Sequence, residues 1–429
     1  MSSGAEKQSL PWSQIIVLSS IPLIMVLGNS MLIPVLQDMQ KALHVSKFQT
    51  SLVISLFSVP AGIIIPLSGF LSDRFGRKKI IIPSLFLYGI GGLIAGFAAG
   101  FLKHPYFMIM VGRVIQGLGA AGTAPITMAL IGDLFKGSSR SKILGINEAS
   151  NGFGKVLSPI IGSLLGFIVW YAAFFAFPVF CVAAALALWF LVKEPDQKRE
   201  PLPFGTYVKN VKEILKREGR WLFSAYACGV IALFTLFGVL FFLSEVLESQ
   251  YHIDGILKGL ILAIPLGAMC TTSYITGAVI KKNVVLMKWL IATGLFLLGG
   301  SLVCNAFFSN TYIRIGLLAI SGIGTGLALP CLNMLITSAV SSQERGIVTS
   351  LYGSVRFLGV AFGPPIFSWL MDLSTALMFI SVAALAAAGG LLCMIFIHPE
   401  KSQSEKKQQA DAFSHLKERR VWTFRNKIR

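Results

Sequence analysis

Twelve long apolar segments, separated by short polar turns, commit this chain to a membrane. Each has about 20 residues or more, the length that a helix needs to cross a hydrocarbon core of about 30 Å. Only 13% of the 429 residues are charged, whereas soluble domains carry about a quarter. We therefore predict an all-α membrane protein with twelve transmembrane helices near 14–36, 50–72, 79–100, 106–134, 142–169, 171–192, 221–247, 256–280, 284–308, 311–340, 346–371 and 374–397.

The basic charge of the chain is unevenly distributed. A net charge of +18 is compatible with nucleic-acid binding, but most Lys and Arg fall on one side of the membrane when an inside amino terminus is assumed. Such an excess marks the cytoplasmic side. We expect a multi-pass protein of the plasma membrane with both termini in the cytoplasm. Its basic loops then face anionic lipids and not nucleic acid.

Residues that hold metals or catalyse reactions form no cluster in the sequence. The six Cys are scattered in apolar segments, and the five His lie in loops, tails or helix ends. Neither a metal site nor a disulfide is therefore predicted. The sequence also has no Gly-x-x-x-x-Gly-Lys-Ser/Thr phosphate loop, which argues against direct drive by ATP. We expect a protein without a cofactor that is not an enzyme.

A charged stretch divides the chain into two halves. Residues 193–220 separate six apolar segments at 14–192 from six at 221–397, with a short amino-terminal segment at 1–13 and a basic tail at 398–429. Within the stretch, apolar residues from Phe204 to Leu215 recur at helical spacing between lysines. This pattern predicts an amphipathic helix on the inner membrane surface. A plain solvated linker is the alternative.

The two halves are related in sequence. At a constant offset of 205, prolines align with prolines and glycines with glycines, as in Pro60/Pro265, Pro159/Pro364, Gly117/Gly322 and Gly154/Gly359. Parallel repeats of this kind are typical of transporters whose halves move around a central site. We therefore predict two pseudo-symmetric six-helix bundles.

The run Gly69–Lys79 is a tight charged turn between two apolar segments. It orders Gly69, Asp73, Gly76 and Arg77 in a fixed spacing. A generic basic loop explains the charge but not this order. The run resembles the cytoplasmic signature between helices 2 and 3 of the major facilitator superfamily.

Two further motifs strengthen that resemblance. Arg113, Gln116 and the glycines that follow are similar to the Arg-x-x-Gln-Gly-x-Gly run of proton-coupled members. The stretch Gly154–Ser163 looks like the antiporter motif Gly-x-x-x-Gly-Pro-x-x-Gly-Gly, with serines replacing two glycines. Over about residues 14–397, the chain resembles the twelve-helix drug:proton antiporter family, which implies the major facilitator fold.

The resemblance implies a conformational lock around the charged turn. Asp133 would pair with Arg77, and Asp73 would cap a helix of the other half, so that the inner side stays closed in the outward-facing state. Gly69 and Gly76 belong to the same motif.

The resemblance also assigns Arg113 and Gln116 to proton coupling. An arginine inside a membrane is costly and marks function by default. The alternative is that Arg113 extends its side chain to the outer interface.

The residues of this chain that match the antiporter motif are Gly154, Ser158, Pro159 and Gly162. Small residues allow helices to approach closely, and proline bends the helix. Generic helix packing by small residues is the alternative.

A polar stripe on helix 5 is the least ordinary feature. Glu148, Asn151 and Lys155 share one face, with Lys155 near mid-membrane. The repeat places Arg356 in the aligned region. Lys155 and Arg356, together with Asn29 and Asn151, are predicted to line a substrate cavity suited to an anionic or acidic-phenolic molecule. Simple neutralisation of Lys155 by Glu148 is the alternative, although i, i+7 spacing leaves about 10 Å between them.

Glu148 is the carboxylate best placed to carry a proton, because Asp38, Glu245 and Glu248 fall at outer helix ends. The first hypothesis for function is therefore proton-driven export of drugs or other small amphipathic molecules by a monomer. Export of an anionic metabolite such as a siderophore is the alternative. A non-transporting membrane sensor or scaffold is the third hypothesis.

Overall fold

All regular secondary structure in the described residues is helical. The structure is a computed structural model that describes residues 12–135, 137–194, 203–280, 283–308, 310–339 and 345–397, and within these ranges it contains no strand. A single turn of 3₁₀ helix, Ile33–Val35, lies between the first two α-helices. The α-helices are α1 (Trp12–Ser30), α2 (Leu36–Leu43), α3 (Lys47–Phe75), α4 (Arg77–Phe101), α5 (Tyr106–Ala121), α6 (Ala124–Leu134), α7 (Gly137–Ile168), α8 (Ala172–Leu191), α9 (Phe204–Tyr251), α10 (Gly255–Ile280), α11 (Val284–Phe307), α12 (Thr311–Ala339), α13 (Arg345–Leu373) and α14 (Thr375–Phe396).

Twelve helical segments in the described ranges are long and apolar enough to cross a membrane, which confirms the predicted fold class. Two of these segments are interrupted. The first, Trp12–Leu43, contains the 3₁₀ turn at Pro34, because proline cannot donate the backbone hydrogen bond of a regular helix. The fourth, Tyr106–Leu134, breaks at Gly122 and Thr123, just before Pro125. We predicted both as uninterrupted helices.

The two halves pack in the same way. In the first half α1 contacts α7, α4 contacts α5, and α4 contacts α8; in the second half the equivalent pairs are α9 with α13, α11 with α12, and α11 with α14. The halves meet where α3 contacts α13 and α7 contacts α10. The interface between the halves is therefore formed by helices from both bundles.

The predicted surface helix is instead the first part of a much longer one. Helix α9 has 48 residues, or about 70 Å at 1.5 Å per residue, more than twice the thickness of the hydrocarbon core. No proline interrupts it. Its apolar face packs on protein, because Tyr207 contacts the Phe70 ring at 5.2 Å and Ile214 is buried. The predicted boundary at residue 220 therefore falls inside a continuous helix.

The antiporter motif forms a row of small residues against α1. Gly154 faces Leu23, and a methyl group added to Gly162 would overlap the carbonyl oxygen of Met31. Between them, the Ser158 hydroxyl donates a hydrogen bond to the Leu27 carbonyl oxygen at 3.3 Å. Residues four apart share a helix face. The row therefore sets how closely α7 approaches α1.

The second half has an equivalent row of small residues between α13 and α9, except that one glycine lies on the partner helix. Gly359 and Gly363 of α13 face the carbonyl oxygens of Val230 and Phe234 on α9, each 2.6 Å from where an added methyl would lie. One turn further along, the small residue is Gly238 on α9, and the side chain that covers it is Phe367 of α13. The close approach is thus kept although the glycine changes helix.

We expect Gly162→Ala to destabilise the protein, since the added methyl forces α1 and α7 apart; overpacking of this kind costs about 1–3 kcal/mol. Thermal unfolding of the detergent-purified protein measures the loss. Gly145→Ala is the matched control, because Gly145 lies on the same helix with nothing within 4 Å of an added methyl. Equal melting temperatures for the two variants would contradict the proposed packing.

Candidate functional site

The two ends of the bundle carry different polar groups. Because the number of spans is even, the start of α1 and the end of α14 lie at one end, which we call the terminal face. The turn between α3 and α4 is also at this face. The turns that follow α2 and α9 lie at the other end, the opposite face.

At the terminal face, Arg77 gathers the side chains of the charged turn. Its Nη2 lies 2.5 Å from Asp73 Oδ1 and its Nε lies 3.3 Å from Asp133 Oδ2. Its Nη1 donates to Ser72 Oγ at 2.6 Å. Gly76 has φ of 105°, a conformation that favours glycine. The structure therefore brings together Arg77 and both aspartates that the sequence placed in the lock.

Glu194 also belongs to this site, and the sequence did not reveal it. Its carboxylate accepts the backbone N–H of Arg77 at 2.6 Å and that of Lys78 at 2.9 Å. A carboxylate at a helix N-terminus satisfies free N–H groups and interacts favourably with the helix dipole. No local motif could have identified it, because the contact joins residues 117 apart.

The contact of the charged turn with the second half is made by α3. Gly69 lies against Ser350 of α13, whose Oγ is 3.8 Å from the position of an added methyl. An added methyl would make ordinary van der Waals contact at this distance, so the packing of α3 on α13 does not by itself require glycine at position 69. The predicted capping of a second-half helix by Asp73 stays a prediction.

Arg113 is fully buried inside the first half. Its guanidinium donates to the carbonyl oxygens of Val53 at 2.8 Å and Gly28 at 3.2 Å, and to Gln116 Oε1 at 2.8 Å. It also lies 4.5 Å from the centre of the Phe57 ring. The alternative that this side chain reaches the outer interface is therefore wrong.

Asn29 is placed beside Arg113. Its side chain is buried, and its Oδ1 accepts a hydrogen bond from Ser58 Oγ at 3.3 Å. The residue before it, Gly28, supplies one of the carbonyl oxygens that Arg113 contacts. The contacts of Asn29 thus connect α1 to α3 near the arginine.

Between the halves, Lys155 and Arg356 form what we call the central basic cluster, together with Glu148 and Tyr352. Lys155 and Asn151 are half-buried and Glu148 is exposed. Lys155 interacts electrostatically with Glu148 of its own helix and with Arg356 from the other half. The structure thus brings together the lysine and arginine that the sequence predicted to line one cavity.

Residues of the second half orient Arg356. Its Nη1 donates to Asn333 Oδ1 at 3.2 Å, and the guanidinium lies 5.2 Å from the centre of the Tyr352 ring. Sequence reasoning missed Asn333 and Tyr352. Among the described residues neither Lys155 nor Arg356 forms an ion pair. The cluster therefore carries positive charge that no carboxylate of the described residues pairs directly.

The antiporter motif connects this cluster to the second half. The carbonyl oxygen of Pro159 and the side chain of Ser163 lie against Gly259 of α10, within 3 Å of where an added methyl would lie. Gly152, between Asn151 and the motif, approaches Cys270 of α10 in the same way. Helices α7 and α10 are thus in close contact next to the central basic cluster.

Comparison with known proteins identifies relatives over most of the chain. The family model of the Major Facilitator Superfamily matches residues 18–359 and 287–426. A "Bacillibactin exporter" of Bacillus subtilis (strain 168) is 46% identical over 394 residues, covering 91% of this chain and 98% of that protein. "Multidrug resistance protein 2" of the same organism is 26% identical over 414 residues, covering 93% and 97%.

Solved structures share the fold at low sequence identity. A D-xylose-proton symporter superposes with a TM-score of 0.71 at 16% identity, covering 92% of this chain and 99% of that chain. The human organic anion transporter MFSD10 (TETRAN) gives a TM-score of 0.69 at 18% identity, covering 90% and 100%.

Proposed function

The chain belongs to the major facilitator superfamily, and we propose that it exports an anionic small organic metabolite of the siderophore type in exchange for protons. Two observations support this function over the general drug export that we put first from the sequence. The relative at 46% identity is a bacillibactin (siderophore) exporter, whereas the multidrug protein reaches 26%. The second observation is the central basic cluster, whose positive charge would match an anionic substrate.

The central basic cluster carries the proposal. A lysine near mid-membrane is costly and needs a partner or water. Lys155 and Arg356 come from opposite halves and repel one another, and the attraction of Lys155 to Glu148 is smaller than this repulsion. A carboxylate or an ionised phenol on the substrate would relieve that repulsion. Binding an anion would thus draw the two halves together around it.

Orientation and environment follow from the charge distribution. The Lys and Arg residues concentrate at the terminal face, which we assign to the cytoplasm. Anionic lipids would contact the exposed lysines of α9, such as Lys209, next to this face. We propose a monomer in the plasma membrane that needs no cofactor and catalyses no reaction. The basic tail 398–429 lies outside the described residues.

Protons are the proposed driving ion, with Arg113, Gln116 and Glu148 in coupling. The test is efflux of a siderophore from proteoliposomes under an imposed pH gradient. We expect concentrative transport that collapses with an uncoupler. Transport that persists without the gradient would exclude proton exchange, and dependence on sodium would indicate another ion. Transport of cationic dyes, measured in parallel, tests the alternative of general drug export.

The Arg77 site is proposed to hold the cytoplasmic side closed in the outward-facing state. We expect Arg77→Ala and Asp73→Asn to abolish transport while the protein still inserts, because both remove contacts that change between conformations. Arg74→Ala is the control, since Arg74 lies in the same turn but is exposed. Wild-type transport rates in the two lock variants would exclude this role.

Lys155→Ala should raise the apparent KM for anionic substrates about tenfold or more, since one of two cations facing the anion is lost. Lys155→Arg should keep part of the activity, because the charge remains while the geometry changes. Lys142→Ala removes an exposed charge from the same helix and should have no such effect. Equal loss of expression and of all transport in both Lys155 variants would show a structural role instead.

A further inference from the structure

A network of polar side chains joins the two halves at the opposite face. The first half contributes Gln37, Lys41 and Lys47, and the second contributes Ser244, Glu245, Glu248 and Lys258. Gln37 and Ser244 are buried, as are both glutamates and Lys258. None of these residues takes part in the proposed binding or coupling sites. They lie where the two halves meet at the opposite face, and this position suggests a role in closing that face.

Lys258 is the most buried cation of this network, with 1% of its side chain exposed. Its Nζ lies 2.8 Å from Glu248 Oε2 and donates to the Pro34 carbonyl oxygen at 2.7 Å. The first contact joins α10 to α9 within the second half, and the second crosses to the 3₁₀ turn of the first half. One ammonium group therefore fixes three elements that meet at the opposite face.

The carbonyl oxygens of the 3₁₀ turn are acceptors for the other half. The Pro34 carbonyl oxygen accepts from Lys258, and the Ile33 carbonyl oxygen accepts a hydrogen bond from Ser244 Oγ at 2.9 Å. A carbonyl oxygen has two lone pairs, so these bonds form in addition to those within the turn. The interruption of the first span at Pro34 thus lies where α9 and α10 reach across.

Two further contacts add ion pairs across the halves. Lys41 Nζ lies 2.5 Å from Glu248 Oε1 and Lys47 Nζ lies 2.9 Å from Glu245 Oε1. Gln37 Nε2 donates to Glu245 Oε2 at 2.6 Å and to its backbone carbonyl at 2.9 Å. The exposed Asp38 adds negative charge near Glu248 and Lys258. Each buried glutamate is therefore held by a cation of the first half.

We propose that this network is an ionic latch that closes the opposite face, and that Lys258 is the positioning residue that sets how readily the face opens. The proposal rests on the proposed function only in assuming that the halves move apart at this face. Removing Lys258 leaves Glu248 with the largely exposed Lys41 as its remaining ion-pair partner among the described residues, so part of the buried negative charge is no longer compensated. Glu248 without Lys258 would be stabilised by hydration, which is available only when the face opens.

An ionic latch suits a gate that must open and close repeatedly. An apolar contact of equal area would close the face, but opening would expose apolar surface to water. Charged groups separated by opening are instead hydrated, which offsets the loss of the pairs. The two conformations can therefore lie close in free energy, as alternating access requires.

The latch is tested without any substrate, by measuring distances between spin labels across the opposite face. Phe107 and Tyr312 begin equivalent helices of the two halves and are exposed, so cysteines at these positions accept labels. The exposed Cys304 and the half-buried Cys270 are replaced by alanine. We expect Lys258→Met to raise the ratio of open to closed distances about tenfold or more, as expected for a broken buried pair.

Companion variants distinguish a latch from general destabilisation. Lys258→Arg should restore most of the closed population, and Glu248→Gln should open the face as Lys258→Met does. The double variant should add little to either single change, because both act on one pair. Lys41→Met, which removes a largely exposed cation, should shift the ratio less. Lys103→Met is the control, as Lys103 is exposed in a loop at this face.

Two results would overturn the proposal. One is an unchanged distance distribution in Lys258→Met and Glu248→Gln alike. The other is a raised KM for anions in Lys258→Met without any change in the distances, since that would make Lys258 a substrate ligand. Because the distances are measured without substrate, failure of siderophore export would not by itself contradict the latch.

Discussion

The membrane makes an unpaired charge expensive, and the position of each cation inside this bundle follows from that constraint. Arg113 is stabilised by two carbonyl oxygens, Gln116 and an aromatic ring, all within one half. Lys258 is stabilised by Glu248 and by a carbonyl oxygen across the halves. In the part of the chain that the structure describes, Lys155 forms no ion pair. Its charge is therefore the one that we propose is available to a substrate.

The same electrostatics restricts how a proton gradient would drive the export of an anion that we propose. A proton on Glu148 adds positive charge beside Lys155 and strengthens the binding of an anion there. Local electrostatics beside Lys155 therefore favours binding of the proton and the anion together and not their exchange. Exchange requires that the substrate-free, protonated protein returns readily between its two conformations. The gates at the two faces, and not the cavity alone, must then respond to the proton.

Features with a local pattern could be predicted from the sequence, while those that depend on distant contacts could not. Apolar length predicted the spans, the spacing of the charged turn pointed to Asp73 and Arg77, and the family resemblance added Asp133. Glu194 caps α4 from 117 residues away, and Lys258 finds the Pro34 carbonyl oxygen 224 residues away; no periodicity records either contact. The charged linker suggested a separate surface helix, yet without a proline it continues unbroken into the next span.

The repeat explains the packing of the two halves but not their charges. The close contacts of Gly154 with α1 and of Gly359 with α9 are equivalent, since both halves need helices in contact. At the offset of 205, however, Arg113 corresponds to Leu318, Lys155 to Val360 and Lys258 to Val53. Each of these three charges thus has an apolar counterpart in the other half, whereas Arg356 corresponds to the polar Asn151. The two halves are therefore alike in helix packing and different in their buried charges, which we propose serve different tasks at the two faces and between the halves.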